Sequence, residues 1–184
     1  MTRSLMGAAV VVAILQLAQG PRTAAPSPDR LTNQLQAAFV SKVPRFVEWP
    51  APALEGRSTI DVCVGPPDPF GSDLNELVTG EAVNGKPIVA RQVRKEHEID
   101  ECQVLFLPRR SGGGQHPLLR RASTRPILTV SDDPSFLDDG GIIQLRVVEG
   151  RIRFDVDVAA ALRVGLRISS QLLQLAATVR GGES

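Results

Sequence analysis

Tyrosine is absent from this 184-residue chain, and cysteine, histidine and tryptophan are scarce, at two, two and one. A four-ligand zinc cluster would consume Cys63, Cys102, His97 and His116 together, so no metal site is expected. Charge of one sign is not in excess either: 21 Lys and Arg stand against 20 Asp and Glu, a formal net charge of +1. That balance lacks the basic footprint of a nucleic-acid binder. What is present, 42% apolar and 22% charged residues, is the composition of a globular chain rather than a disordered one. The length has room for one domain, or a domain with an appendage.

The N-terminus carries an address. Arg3 precedes an apolar run from Met6 to Leu17 broken only by Gln16, and small residues follow at Ala18, Gly20, Ala24 and Ala25. A positive start, an apolar stretch of this length and a small-residue exit describe a secretory signal peptide. An uncleaved anchor is the alternative, since Pro21 and Pro26 blur the cleavage site. Residues 1–25 are therefore expected to be signal and leader, and residues 30–180 a single domain. No cysteine follows the apolar run, so lipid attachment is not expected. Loss of residues 1–25 would remove Arg3 and Arg22 and no acid, leaving 19 basic residues against 20 acidic. Export would place Cys63 and Cys102 in an oxidising compartment.

Along the rest of the chain, Asp29 is positioned to cap a helix whose apolar residues run from Leu31 to Val47, with Pro44 kinking or ending it. Ser58–Val64 alternates like a strand, and Gly65-Pro66-Pro67 stops it. Asp68-Pro69 reads as a helix start running to Val78, with Asp68 as cap. Asn84-Gly85 is a turn before a strand from Pro87 to Val93. Val104–Leu107 (VLFL) and Pro126–Val130 (PILTV) are continuous apolar runs, typical of strands buried on both faces. A helix over Gln115–Ser123 separates them. Ile142–Val148 and Arg151–Val156 flank Glu149-Gly150 as an antiparallel hairpin. Asp157 then caps a closing helical region that Gly165 divides and that runs to Val179. Strands alternating with helices predict an α/β domain, a three-layer sandwich with a mainly parallel sheet and the antiparallel C-terminal hairpin at one edge.

Several segments occur in a recognisable order. They are Arg45-Phe46-Val47-Glu48-Trp49-Pro50, Cys63-Val64-Gly65 with Asp68-Pro69-Phe70-Gly71, Gly85-Lys86-Pro87, Cys102-Gln103-Val104-Leu105-Phe106 and Leu128-Thr129-Val130-Ser131-Asp132. The series closes with Gly140-Gly141-Ile142-Ile143, Arg151 to Asp157 and Gly165 to Leu173. Together they resemble the YfiR family of exported bacterial regulators, from about Arg30 to Val179. The resemblance implies a periplasmic, non-enzymatic protein that needs no cofactor. It would repress a membrane-bound diguanylate cyclase by binding that enzyme's periplasmic domain, lowering cyclic di-GMP and restraining biofilm formation. It also implies self-association as a homodimer, and no insertion into the membrane after processing. The chain departs from the family's pattern at Gln103, Asp157 and Pro44, and it lacks the second cysteine pair that some relatives carry near the late hairpin.

Each chemical constellation has two readings. Cys63 and Cys102 either form a disulfide closing a loop of about 40 residues, or remain buried thiols, a state disfavoured after export. The disulfide would be a static staple or a redox switch. Arg109, Arg110, Gly112 and Gly113 lie between a strand and a helix, where α/β folds often bind phosphate. The Walker and dinucleotide patterns both fail there, which leaves an exposed loop or a ligand loop. Asp132, Asp133, Asp138 and Asp139 lack a calcium-loop pattern and read as turn residues. His97 and His116 flank no nucleophile motif. Phe46 and Trp49 serve either as packing for the first helix or as a partner contact, tryptophan being common in binding hot spots. Two functions remain: a regulator acting by protein contact, and a periplasmic sensor binding a small ligand at the carboxyl ends of the strands.

Overall fold

The computed structural model describes residues 27–110 and 116–182. The proposed signal segment lies outside the described residues, as do Gly112 and Gly113. An opening helix, α1 (Pro28–Lys42), packs beside α3 (Ser72–Val78) on one face of the sheet. Ser27, rather than Asp29, caps α1, its hydroxyl accepting from the Arg30 N–H at 3.3 Å. Pro44 ends the α-helix as its chemistry requires. The chain tightens into a 3-10 turn over Val43–Phe46 and then enters the short strand β1 (Val47–Glu48). After α2 (Ala51–Leu54) come the sheet strands β2 (Ile60–Val64), β3 (Ala82–Val83), β4 (Lys86–Gln92), β5 (Val104–Leu107), β6 (Leu128–Ser131), β7 (Ile143–Val148) and β8 (Arg151–Asp157). The helix α4 (Pro117–Ala122) precedes β6. The chain closes through α5 (Val158–Arg163), β9 (Arg167–Ile168), α6 (Ser170–Leu175) and β10 (Thr178–Arg180).

Eight strands form one sheet in the order β10-β8-β7-β6-β5-β2-β4-β3. The five from β4 to β7 run parallel to their neighbours, β8 returns antiparallel from β7, and β3 is antiparallel to β4. Period-two alternation divides the core between the faces. Val62, Val64, Val104, Phe106, Leu128 and Val130 point to the larger cluster under α1 and α3. Cys63, Leu105 and Leu107 point the other way, to a cluster with Ile99, Leu119 and Phe136. Strands sandwiched in this way need apolar residues on both faces, which accounts for the uninterrupted VLFL and PILTV runs. Phe154 from β8 meets Phe39 of α1 with ring centroids 5.0 Å apart, and Phe106 meets Phe70 at 4.6 Å. The result is a three-layer α/β fold with a mostly parallel sheet, and β1 with β9 form a separate antiparallel pair.

Three local expectations are corrected. Asp68 does not cap α3: its carboxylate accepts from the Phe70 N–H at 2.8 Å and the Gly71 N–H at 3.3 Å, closing a turn, and the helix starts only at Ser72. The closing helical region stops at Leu175, and Thr178–Arg180 pairs instead with β8, so the β7–β8 hairpin lies one short strand in from the sheet edge. The charged segment Lys95-Glu96-His97-Glu98 has the composition of a surface turn, but Glu96–Glu101 forms a 3-10 helix with Ile99 buried. Asp157 caps α5 as expected, accepting from the Ala160 N–H at 2.7 Å. Gly165 leaves α5 at φ 77°, a left-handed position glycine adopts without strain.

Candidate functional site

The two cysteines are joined. Cys63 lies within β2, Cys102 lies two residues before the start of β5, and the strands are parallel neighbours with Val62 opposite Val104. Their Cα atoms are 5.8 Å apart across a sequence separation of 39, and both residues are buried. The disulfide therefore staples the middle of the sheet and encloses α3, β3, β4 and the Glu96–Glu101 3-10 helix in its loop.

Around the staple is a ladder of buried polar groups. Strand alternation puts Asp61 on the same side of β2 as Cys63, where it is 3% exposed. A buried carboxylate must be paired or it costs several kcal/mol. Asp61 receives Arg91 Nε at 2.7 Å and the Thr59 hydroxyl at 2.6 Å. The Gln103 side-chain carbonyl accepts from the Asp61 N–H at 2.7 Å, and its amide donates to the Glu101 carbonyl at 3.2 Å. Arg91, opposite Cys63 in the β2–β4 register, also lies 3.7 Å from the Glu101 carboxylate. Arg91 and Glu101 of this ladder line an open cleft of about 600 Å³ together with Val93, Arg94, His97 and Glu98. Glu98 accepts from the Arg94 and Lys95 N–H groups, which hold its carboxyl below the usual range. Arg91 and Glu98 are thus already engaged within the protein, so the cleft is not a strong field of either sign.

A second cleft, about 310 Å³, adjoins the first through Val93 and Arg94 at the carboxyl ends of β2, β4 and β5. Arg110 and His116 line it, and Arg109 is exposed beside it with its N–H donating to Asp132 at 2.7 Å. Of the proposed ligand loop, only the two arginines can be placed. His116 starts α4 by accepting from the Leu118 N–H through Nδ1 at 3.2 Å. Burial, aided by the charge of Arg110, holds the imidazole below its ordinary pKa. No hydrogen bond joins either histidine to a serine or an acid among the described residues. Nor do three or more His, Cys, Asp or Glu side chains converge there to hold a metal ion. At the opposite end of the strands, Asp100 is held below the usual carboxylate range, chiefly by its hydrogen bond from Arg121 and also by Arg125 at 3.0 Å. The four loop aspartates are engaged within the chain: Asp132 and Asp133 accept backbone N–H groups, Asp138 pairs with Arg180, and Asp139 accepts from Ser135.

Phe46 and Trp49 sit elsewhere, against the larger core cluster, and both are half-buried. The β1–β9 pair fixes them: Val47 faces Ile168, and the Phe46 carbonyl accepts from Ser169 at 2.9 Å. The indole Nε1 of Trp49 is buried without an acceptor among the described residues. The structure therefore separates these aromatics from Arg109 and Arg110. It also reveals the Asp61–Arg91 ladder, which the sequence analysis did not single out. Its only sequence signal is that Asp61 and Cys63 share a face of one strand.

Fold and site together define a disulfide-stapled α/β domain offering open clefts and surfaces, without a nucleophile–base pair among its described residues. The model of the YfiR/HmsC-like family matches residues 33–177, and the chain belongs to that family. No curated protein matches the chain. Among solved structures it is similar to a conserved domain protein from Vibrio cholerae O1 biovar El Tor, at 12% identity and a TM-score of 0.43, over 80% of this chain. The chain spans 60% of that protein's length.

Proposed function

We propose that this is a periplasmic regulatory protein that inhibits a membrane-bound diguanylate cyclase by direct contact with the enzyme's periplasmic domain, lowering cyclic di-GMP. The observation that carries the reading is the family match, which covers residues 33–177. The signal-peptide pattern at the N-terminus and a disulfide suited to an oxidising compartment support it. Near-neutral charge suits docking on a protein better than attraction to a lipid surface or a nucleic acid, and self-association as a homodimer belongs to the same proposal. Deletion of the gene raises cellular cyclic di-GMP, measured by mass spectrometry of extracts, and complementation restores it. Unchanged levels in a strain that expresses membrane-bound cyclases would overturn the reading.

A second reading, a sensor for a small ligand, is favoured by the adjoining clefts of about 600 and 310 Å³, within the size range of ligand sites. A ligand bound there would raise the thermal midpoint by mass action. A metabolite screen with no concentration-dependent shift removes this reading.

A further inference from the structure

Near-neutrality of the whole chain conceals a local surplus. From residue 143 to residue 182 the sequence carries six arginines and three acids. In the β7–β8 hairpin, the register places Arg146 directly opposite Arg153 and Val148 opposite Arg151. Cross-strand partners share a face, so Arg146, Arg151 and Arg153 stand together on the side of the sheet away from the Phe154–Phe39 contact. All three are exposed, and Val148 beside them is 48% exposed. Asp155, the one acid of the β7–β8 strands on this face within reach, is taken by Arg146 at 2.8 Å. Neither Arg151 nor Arg153 forms an ion pair among the described residues.

Like charges directly opposite across an antiparallel pair destabilise a sheet. The fold thus bears a repulsion that it does not neutralise internally. Resting on the regulatory function proposed above, we propose that this uncovered sheet face is the surface that docks the partner, and that Arg151 and Arg153 receive an acidic strip on the cyclase's periplasmic domain. Two guanidinium forks presented on a flat, rigid strand match paired carboxylates in bidentate geometry, and approach of such a strip relieves the Arg146–Arg153 repulsion. An anionic bilayer is the weaker fit. Two unpaired cations change partitioning to it by only about thirtyfold, and the rest of the chain adds no basic surplus.

The test uses the mature protein and the purified periplasmic domain of each membrane-bound cyclase in the source organism, with affinity and thermal midpoint measured together. The Arg151→Glu/Arg153→Glu variant is expected to bind its cyclase domain at least a hundredfold more weakly, and wild-type binding to weaken as salt rises. The Arg153→Thr variant is expected to lose about tenfold in affinity while its melting midpoint rises by about 1–2 °C, because removing one arginine ends the repulsion. A structural arginine would give the reverse, a lower midpoint with unchanged affinity, and that result overturns the proposal. Wild-type binding that both variants retain removes this face but leaves the proposed function standing. If wild-type protein binds none of the domains and deletion leaves cyclic di-GMP unchanged, the function itself fails and this inference with it. Sedimentation with phosphatidylglycerol vesicles that the double variant abolishes, beside intact domain binding, assigns the patch to lipid and overturns the protein docking site.

Discussion

Opening the Cys63–Cys102 bond probes the fold at its centre. The bond spans 39 positions of sequence, and on the chain-entropy model a loop of about 40 residues is worth about 4 kcal/mol at 25 °C. For a domain of this size that corresponds to a fall of roughly 8–16 °C in the thermal midpoint. The native state should survive the loss, because β2 and β5 remain paired at Val62–Val104, Cys63–Leu105 and Val64–Phe106 without the bond. Urea unfolding of the oxidised protein, the reduced protein and the Cys63→Ala/Cys102→Ala variant separates the contributions. Reduction alone retains both sulfurs, whereas the double variant also leaves small gaps beside Leu105 and Ile99. The oxidised-minus-reduced difference should carry most of the effect, and reductant should not change the double variant. A difference below about 1 kcal/mol would refute the reasoning, since it would mean that the reduced unfolded chain is already as confined as the cross-linked one.

Two further outcomes follow from individual residues. His116 has its folded pKa lowered from 6.5, first by burial and then by Arg110, and its unprotonated Nδ1 accepts the Leu118 N–H. Its contribution is therefore complete above pH 6.5 and is lost as the pH falls from there through the lowered folded value. The wild-type stability, relative to a His116→Asn variant that keeps a capping acceptor, should decline as the pH falls below 6.5, and a flat difference would count against the assignment. A methyl group on Gly141 would collide with the ring of Phe136, which is 3% exposed. Gly141→Ala should cost about 1–3 kcal/mol in urea unfolding, and a cost under about 0.5 kcal/mol would show that the ring moves aside freely.

The fold was legible where burial and periodicity agree. VLFL and PILTV announced strands covered on both faces because their neighbours on each side are helical layers, and Asp157 was legible as a cap because it directly precedes an Ala-rich helical run. Asp29 and Asp68 show where that reasoning stops. Ser27 lies one position upstream of α1 and takes the capping role, while Asp68 commits Oδ1 to the N–H groups two and three residues ahead and Oδ2 to the Gln92 side-chain amide, the local alternative open to short acidic side chains. Thr178–Arg180 was misread for a different reason. The outer edge of β8 offers unpaired backbone groups, the Ala177 N–H finds the Phe154 carbonyl at 2.8 Å, and this pairing outweighs a weak local helix preference.

The candidate sites divide along the same line. Pairing of Asp61 with Arg91 joins residues thirty positions apart and depends on β2 and β4 lying side by side, which periodicity within either strand does not state. The arginine face needs no tertiary knowledge. Once Glu149-Gly150 is read as a two-residue turn, with both residues at positive φ in the structure, counting outward puts Val148 opposite Arg151, Val147 opposite Ile152 and Arg146 opposite Arg153. The sequence thus contains the repulsion, but not whether something covers it. An arginine pair beneath a helix would have to be neutralised from within the chain, and one beside Asp155 alone is neutralised only by half. What the structure adds is that this part of the face is open. The unmatched half of the charge is therefore presented to solvent on that strand, and no further carboxylate among the described residues pairs with it.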